Sequence, residues 1–137
     1  MPRLDGIIET ALYVADLARA QAFYETVLEL SVLTRDDRFV ALDIGGRSVL
    51  LLFKRDATLE TSFLRGGTIP PHGGSGRLHL AFSIAADALP AWEKRLAEQG
   101  VEIEGRTDWP RGAHSLYFRD PDDHLLELVT PGLWAIY

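Results

Sequence analysis

The chain has 137 residues, 47% apolar and 25% charged, with no cysteine and a formal net charge of −6 from 14 basic and 20 acidic side chains. At this length the expectation is a single domain, 1–137, with a core of its own, and the composition excludes a disordered chain, a collagen-like fibre and a coiled coil. Without cysteine there is no disulfide, thiolate metal centre or cysteine nucleophile, so any metal must be held by nitrogen and oxygen donors. No basic stripe marks a nucleic-acid surface. The longest apolar run, Val49 to Phe53, is too short to cross a bilayer, and Met1 to Asp5 carries no apolar signal core. A cytoplasmic enzyme or binder of a small molecule, with neither nucleic acid nor membrane as partner, is the expectation.

The first predicted element is a strand over 7–14. Asp16 is a good N-cap, and Leu17, Ala20, Phe23, Tyr24, Val27 and Leu28 recur at helical spacing behind it. A short strand is expected near 32–35. Two more follow, 39–44 and 48–53, joined by Gly45-Gly46, a strong hairpin signal. The Gly- and Pro-rich stretch 66–76 reads as a loop. Beyond it the order returns. A strand is expected over 78–84, then a helix capped by Asp87, with Leu89, Trp92 and Leu96 at helical spacing and Gly100 as its stop. A strand near 101–106 and a hairpin of 115–119 and 125–129 around Asp120-Pro121-Asp122-Asp123 complete the chain.

Each half therefore reads strand, helix, strand, strand, strand: a duplicated βαβββ unit, module one about 5–55 and module two about 78–131, with a linker about 65–77. Laying the halves together pairs Glu9 with His79 and Leu51 with Glu127. Side chains alternate between the faces of a strand. In the second opening strand Leu78, Leu80, Phe82 and Ile84 face the helix and His79 faces away. In the first, Leu12 and Val14 face the helix while Glu9, Ala11 and Tyr13 face away. In the last strand Leu126 and Leu128 face the helix and Glu127 faces away. Glu9, His79 and Glu127 thus share the face opposite the helices. A divalent cation among one imidazole and two carboxylates would relieve the cost of burying those charges. One nitrogen and two oxygen donors suit Mn, Fe(II), Ni, Co or Zn.

These residues resemble the vicinal oxygen chelate superfamily, the glyoxalase, bleomycin-resistance and dioxygenase proteins. The resemblance rests on Glu9 to Asp16 with Phe23-Tyr24, on His79 to Phe82, and above all on Tyr117-Phe-Arg-Asp-Pro-Asp-Asp-His-Leu-Leu-Glu-Leu128. It implies an α+β fold: two tandem βαβββ modules forming a curved, partly closed mixed sheet around a central cavity. It also implies metal ligands on the first and last strand of each module, positions held here by Glu9, Leu51, His79 and Glu127. Leu51 cannot ligate, which leaves three ligands, Glu9, His79 and Glu127, and open coordination positions of the kind a catalytic metal needs. The four-ligand glyoxalase I pattern is not matched.

The functional expectation is a small metal-dependent enzyme using one divalent ion, with Glu9 and Glu127 as its catalytic carboxylates. Lyase or isomerase, thiol transferase and extradiol dioxygenase chemistry all stay open. Tyr117 and Arg119 are expected on the substrate face, with Tyr13, Leu51 and Ser115 beside them. The Arg119 fork fits an oxyanion, and an ion pair with Asp120 or Asp122 is its alternative. His72 belongs to the Gly-rich loop, as a lid or a plain linker residue; His114 is expected near the cavity mouth and His124 facing away from it. The alternative for the whole chain is a non-enzymatic, bleomycin-resistance-type binder. The resemblance further implies a homodimer.

Overall fold

The structure is a computed structural model covering residues 1–137. It divides into two compact units, Met1–Ser75 and Gly76–Tyr137, with the boundary inside the predicted linker. In the first unit β1 (Glu9–Val14), α1 (Leu17–Thr26), β2 (Ser31–Arg35), β3 (Phe39–Ile44) and β4 (Ser48–Lys54) follow in order, then a small hairpin of β5 (Ser62–Leu64) and β6 (Gly67–Ile69). The second contains β7 (His79–Ser83), α2 (Leu89–Glu98), β8 (Gly105–Asp108), β9 (His114–Arg119) and β10 (Leu125–Val129). Each unit builds its own four-stranded mixed sheet, in the orders β1-β4-β3-β2 and β7-β10-β9-β8.

The duplication extends to the strand register. β1 runs parallel to β4 with Glu9 opposite Val49 and Ala11 opposite Leu51. β7 runs parallel to β10 with His79 opposite Leu125 and Ala81 opposite Glu127. Glu9 and His79 are therefore equivalent positions, as are Leu51 and Glu127. The third strands agree: Ala41 lies opposite Leu51 and Tyr117 opposite Glu127.

Local chemistry explains the elements. The Asp16 carboxylate accepts the Arg19 N–H at 3.1 Å, so α1 opens on a side-chain cap. Gly45 and Gly46 both take positive φ, 61° and 69°, and the Arg47 N–H closes on the Ile44 carbonyl at 3.2 Å. The turn lies inside a three-residue loop, with Ile44 opposite Ser48 in the ladder. Helix α2 ends with Gly100 at φ 70° and the Val101 N–H on the Leu96 carbonyl at 2.8 Å, a Schellman stop.

Three expectations need correction. Asp87 does not cap α2: Ala88 occupies that position without a side-chain bond, and Pro90 presets the first turn. The strand expected near 101–106 is shifted to 105–108, because Val101 is spent on closing the helix. The expected loop contains the β5–β6 hairpin, which three-residue strands and flanking glycines hid from a periodicity reading.

The core of the first unit is formed by Leu12 and Val14 of β1, Val40, Leu42, Leu50 and Leu52 of the central strands, and Ala20 and Tyr24 of α1, all buried. That of the second centres on Leu116, Phe118, Leu126, Leu128 and Leu96. Each such aliphatic or aromatic side chain contributes about 1.5–3 kcal/mol by leaving water. Alternation then leaves Glu9, Ala11, Tyr13, Leu51 and Phe53 in the first unit, and His79 and Glu127 in the second, on the faces opposite the core residues.

Candidate metal centre and ligand cavity

In the second unit the structure brings together two of the three expected ligands. Glu127 sits on a central strand, buried between its neighbours, and its Oε1 lies 3.2 Å from Nε2 of His79 on the edge strand β7. The His79 side chain is half exposed, so the pair has a buried oxygen end and an open imidazole end. Nδ1 of His79 lies 2.8 Å from the Leu125 carbonyl. A carbonyl oxygen only accepts, so Nδ1 carries the ring proton. Nε2 then faces the Glu127 carboxylate, as a lone pair or as a second N–H. Two electron-rich groups at that distance need a positive charge on or beside them, supplied by a second ring proton or by a cation.

Glu127 is held from behind. Oγ of Ser115 donates to its Oε2 at 2.6 Å, and the Trp109 indole N–H donates to the Ser115 hydroxyl at 2.8 Å. Ser115 is expected on the substrate face, but it is 1% exposed and its hydroxyl is engaged on both sides. Its observed task is to hold the carboxylate. Tyr117 lies opposite Glu127 in the ladder, half-buried, with its ring centroid 6.4 Å from that of His79. It keeps the position beside the ligand pair that the sequence suggests.

Arg119 is engaged elsewhere. Its guanidinium makes two bonds to Glu104, Nε to Oε2 at 2.8 Å and Nη2 to Oε1 at 3.1 Å, and a third to the Asp123 carbonyl at 3.1 Å. The Glu104 hydrogen bond raises the Arg119 pKa, and the same bond holds the Glu104 carboxyl below its ordinary value. The ion-pair alternative fits this arrangement, with Glu104 rather than Asp120 or Asp122 as principal partner.

His124, expected to face away, is fully buried. Its Nδ1 accepts the Leu78 N–H at 2.9 Å and its own N–H goes to Asp120, which ties the turn to the start of β7. His114 is exposed and pairs with Asp108 at 2.6 Å.

Glu9, Tyr13 and Leu51 belong to the first unit, where they line a cavity of about 610 Å³ together with Phe39, Phe53 and His72. Neither unit by itself gathers three His, Asp or Glu side chains around one point. His72, in the Gly-rich stretch, is folded into the cavity wall. Its Nδ1 is 2.8 Å from the Tyr13 hydroxyl, and its backbone is locked to Thr58 by the His72 N–H on the Thr58 carbonyl at 2.9 Å and the Thr58 hydroxyl on the His72 carbonyl at 2.6 Å. Gly73 and Gly74 let the chain lie against this wall. A Cβ on Gly74 would stand 2.6 Å from the Tyr13 ring, and one on Gly73 2.9 Å from Leu59. Residue-level reading missed Ser115, Trp109 and His72 in these roles. Only the Gly-Gly pair after His72 hinted at close packing there.

The chain matches the model of the Glyoxalase/Bleomycin resistance protein/Dioxygenase superfamily over residues 6–128. It is 31% identical over 126 residues to the metallothiol transferase FosB of Bacillus licheniformis, covering 91% of this chain and 75% of that protein. It is 30% identical over 132 residues to the glutathione transferase FosA of Serratia marcescens, covering 96% and 85%. Among solved structures, lactoylglutathione lyase from Agrobacterium tumefaciens superposes with a TM-score of 0.88 at 32% identity, over 98% of this chain and 99% of that one.

Proposed function

Because the chain belongs to the Glyoxalase/Bleomycin resistance protein/Dioxygenase superfamily, in which its relatives are named as enzymes, we propose that it is a metal-dependent enzyme in which His79 and Glu127 hold one divalent cation. The single observation that carries this reading is the His79–Glu127 contact. Nδ1 is committed to the Leu125 carbonyl, and Nε2 faces the buried Glu127 carboxylate at 3.2 Å. A histidine fixed at one nitrogen by a carbonyl, with the other turned to a carboxylate, is an arrangement that a cation between the two would complete. The donor set suits Mn, Fe(II), Co, Ni or Zn. When bound, the cation supplies Lewis-acid polarisation of a substrate oxygen.

The protein's own groups do the remaining work. Ser115 and Trp109 fix the carboxylate's orientation. The Tyr117 ring stands beside His79, opposite Glu127 in the ladder.

The named relatives act through a thiol or a thiol adduct: a metallothiol transferase, a glutathione transferase and lactoylglutathione lyase. A small substrate joined to or separated from a thiol is accordingly the reaction class this reading favours. The test is to treat the protein with chelator, restore Mn(II), Ni(II), Zn(II) or Fe(II) singly, and follow two reactions. These are loss of free thiol from glutathione with a panel of epoxide acids, and turnover of S-lactoylglutathione. Activity that appears with one metal and disappears with chelator is expected. Equal turnover in metal-free protein would overturn the reading. A homodimer belongs to the same proposal, and sedimentation at twice the 15.2 kDa chain mass is expected.

A further inference from the structure

The first unit's cavity has an order along its floor that the metal reading does not use. The register sets three rows across β1, β4 and β3: Tyr13, Phe53 and Phe39; then Ala11, Leu51 and Ala41; then Glu9, Val49 and Asp43. Of these, Tyr13, Phe53 and Phe39, then Ala11 and Leu51, then Glu9 line the cavity, so one end is aromatic, the middle small and apolar, and Glu9 marks the far end. Four residues of strand separate Glu9 from Tyr13, about 13 Å at about 3.3 Å per residue.

The aromatic end is a built surface. Tyr13 stacks on Phe53 with centroids 5.9 Å apart, Phe39 lies 6.1 Å from Phe53, and the His72 ring stands edge-on to Phe53 at 4.6 Å. Such a set of rings suits a flat apolar group, which gains from both area and quadrupole complementarity. One fixed donor, Arg38, and one open ring nitrogen, on His72, stand at the same end. The Arg38 guanidinium makes one bond, to the neutral Ser62 hydroxyl at 3.1 Å, and no carboxylate pairs with it. His72 has its Nδ1 on the Tyr13 hydroxyl and no hydrogen bond at Nε2. Asp36, which also lines this cavity, commits Oδ1 to the Arg38 and Phe39 N–H groups at 2.7 and 3.0 Å, and the adjacent Asp37 is exposed. Glu9 lies at the far end.

We propose that this cavity binds the flat, apolar body of an organic acid, with Tyr13, Phe53, Phe39 and the His72 ring against the body and with Arg38 donating to its anionic group. The assignment itself rests on first-unit residues alone and is tested without metal, so its failure leaves the His79–Glu127 site untouched, and the reverse.

The experiment is calorimetric titration of chelator-treated full-length protein with naphthalene-2-carboxylate, with the neutral 2-naphthylmethanol, and with acetate. The naphthoate is expected to bind one per chain, about tenfold tighter than the alcohol, as a charge-assisted hydrogen bond would give. Acetate is expected to bind far more weakly. In Arg38→Gln, an exposed position whose loss leaves the core intact, the acid's advantage over the alcohol should disappear. In Phe53→Leu both aromatic probes should weaken. Absence of binding by the naphthoate, equal affinity for acid and alcohol, or an undiminished acid preference in Arg38→Gln would overturn the proposal.

Discussion

At the scale of single residues, two polar groups of the second unit carry opposite lessons. Ser115 has no distinctive sequence context, yet its hydroxyl joins Trp109 to the buried Glu127. Groups that orient a metal ligand typically change metal affinity about 10–100-fold when removed. Ser115→Ala should therefore weaken Mn(II) binding within that range, read by titration of the metal's paramagnetic signal, while the circular dichroism of the fold is retained. Unchanged affinity would show that the serine merely fills space. Arg119 looks on the sequence like a substrate-binding cation, and the structure saturates it with Glu104.

The Glu104 carboxyl is held below its ordinary range by that bond. A carboxyl depressed in the folded state stabilises above its unfolded pKa, and the contribution is lost as pH falls through the folded value. The difference in melting temperature between wild type and Glu104→Gln should thus be present at neutral pH and vanish in acid. A difference that persists in acid would sink the ion-pair explanation. His124 is fully buried, with its Nδ1 on the Leu78 N–H. His124→Ala would leave that amide unsatisfied, at about 1–3 kcal/mol, and open a void as well. Urea unfolding checks this.

Among the elements, those with strong local signals were legible and the short ones were not. Asp16, Gly45-Gly46 and Gly100 mark ends and turns through backbone chemistry that any sequence reading can use, and all three act as expected. The β5–β6 hairpin and the start of α2 lacked such marks: three-residue strands show no period, and Ala88 caps nothing. The segment after that hairpin shapes the cavity, because Gly73 and Gly74 let His72 pack against Tyr13 and Phe53. Gly74→Ala would force the Tyr13 ring aside from a 2.6 Å clash, an overpacking cost of about 1–3 kcal/mol. Loss of the Tyr13–His72 hydrogen bond should follow, visible as a shift of the His72 ring nitrogens by NMR. An unshifted ring would show that the loop absorbs the methyl group.

For the whole molecule, the duplication was the strongest legible feature, and the register confirms it position by position: Glu9 with His79, Leu51 with Glu127. Strand alternation alone sorted core from site face in both halves, because a single residue slip would invert every side chain. The family match across residues 6–128 agrees with that reading, as do relatives named as enzymes that work through metal and thiol. Alternation could not say which polar groups on the site face were already spent on one another. Arg119 and Ser115 needed three-dimensional partners, from Glu104 and Trp109, that lie outside any local pattern. Nor could the loop position of His72 reveal that its ring closes the aromatic end of a cavity.

The central claim is that His79 and Glu127 are half-built around a cation. The most direct test is the metal content per chain of protein purified without chelator, compared across wild type, His79→Ala and Glu127→Gln. The account predicts near one divalent ion per wild-type chain, or its uptake on adding Mn, Fe(II), Co, Ni or Zn, and loss in both variants without loss of the folded state. Wild-type protein that neither carries nor takes up any of these ions would contradict it, and the charge between Nε2 and the Glu127 carboxylate would then be a proton.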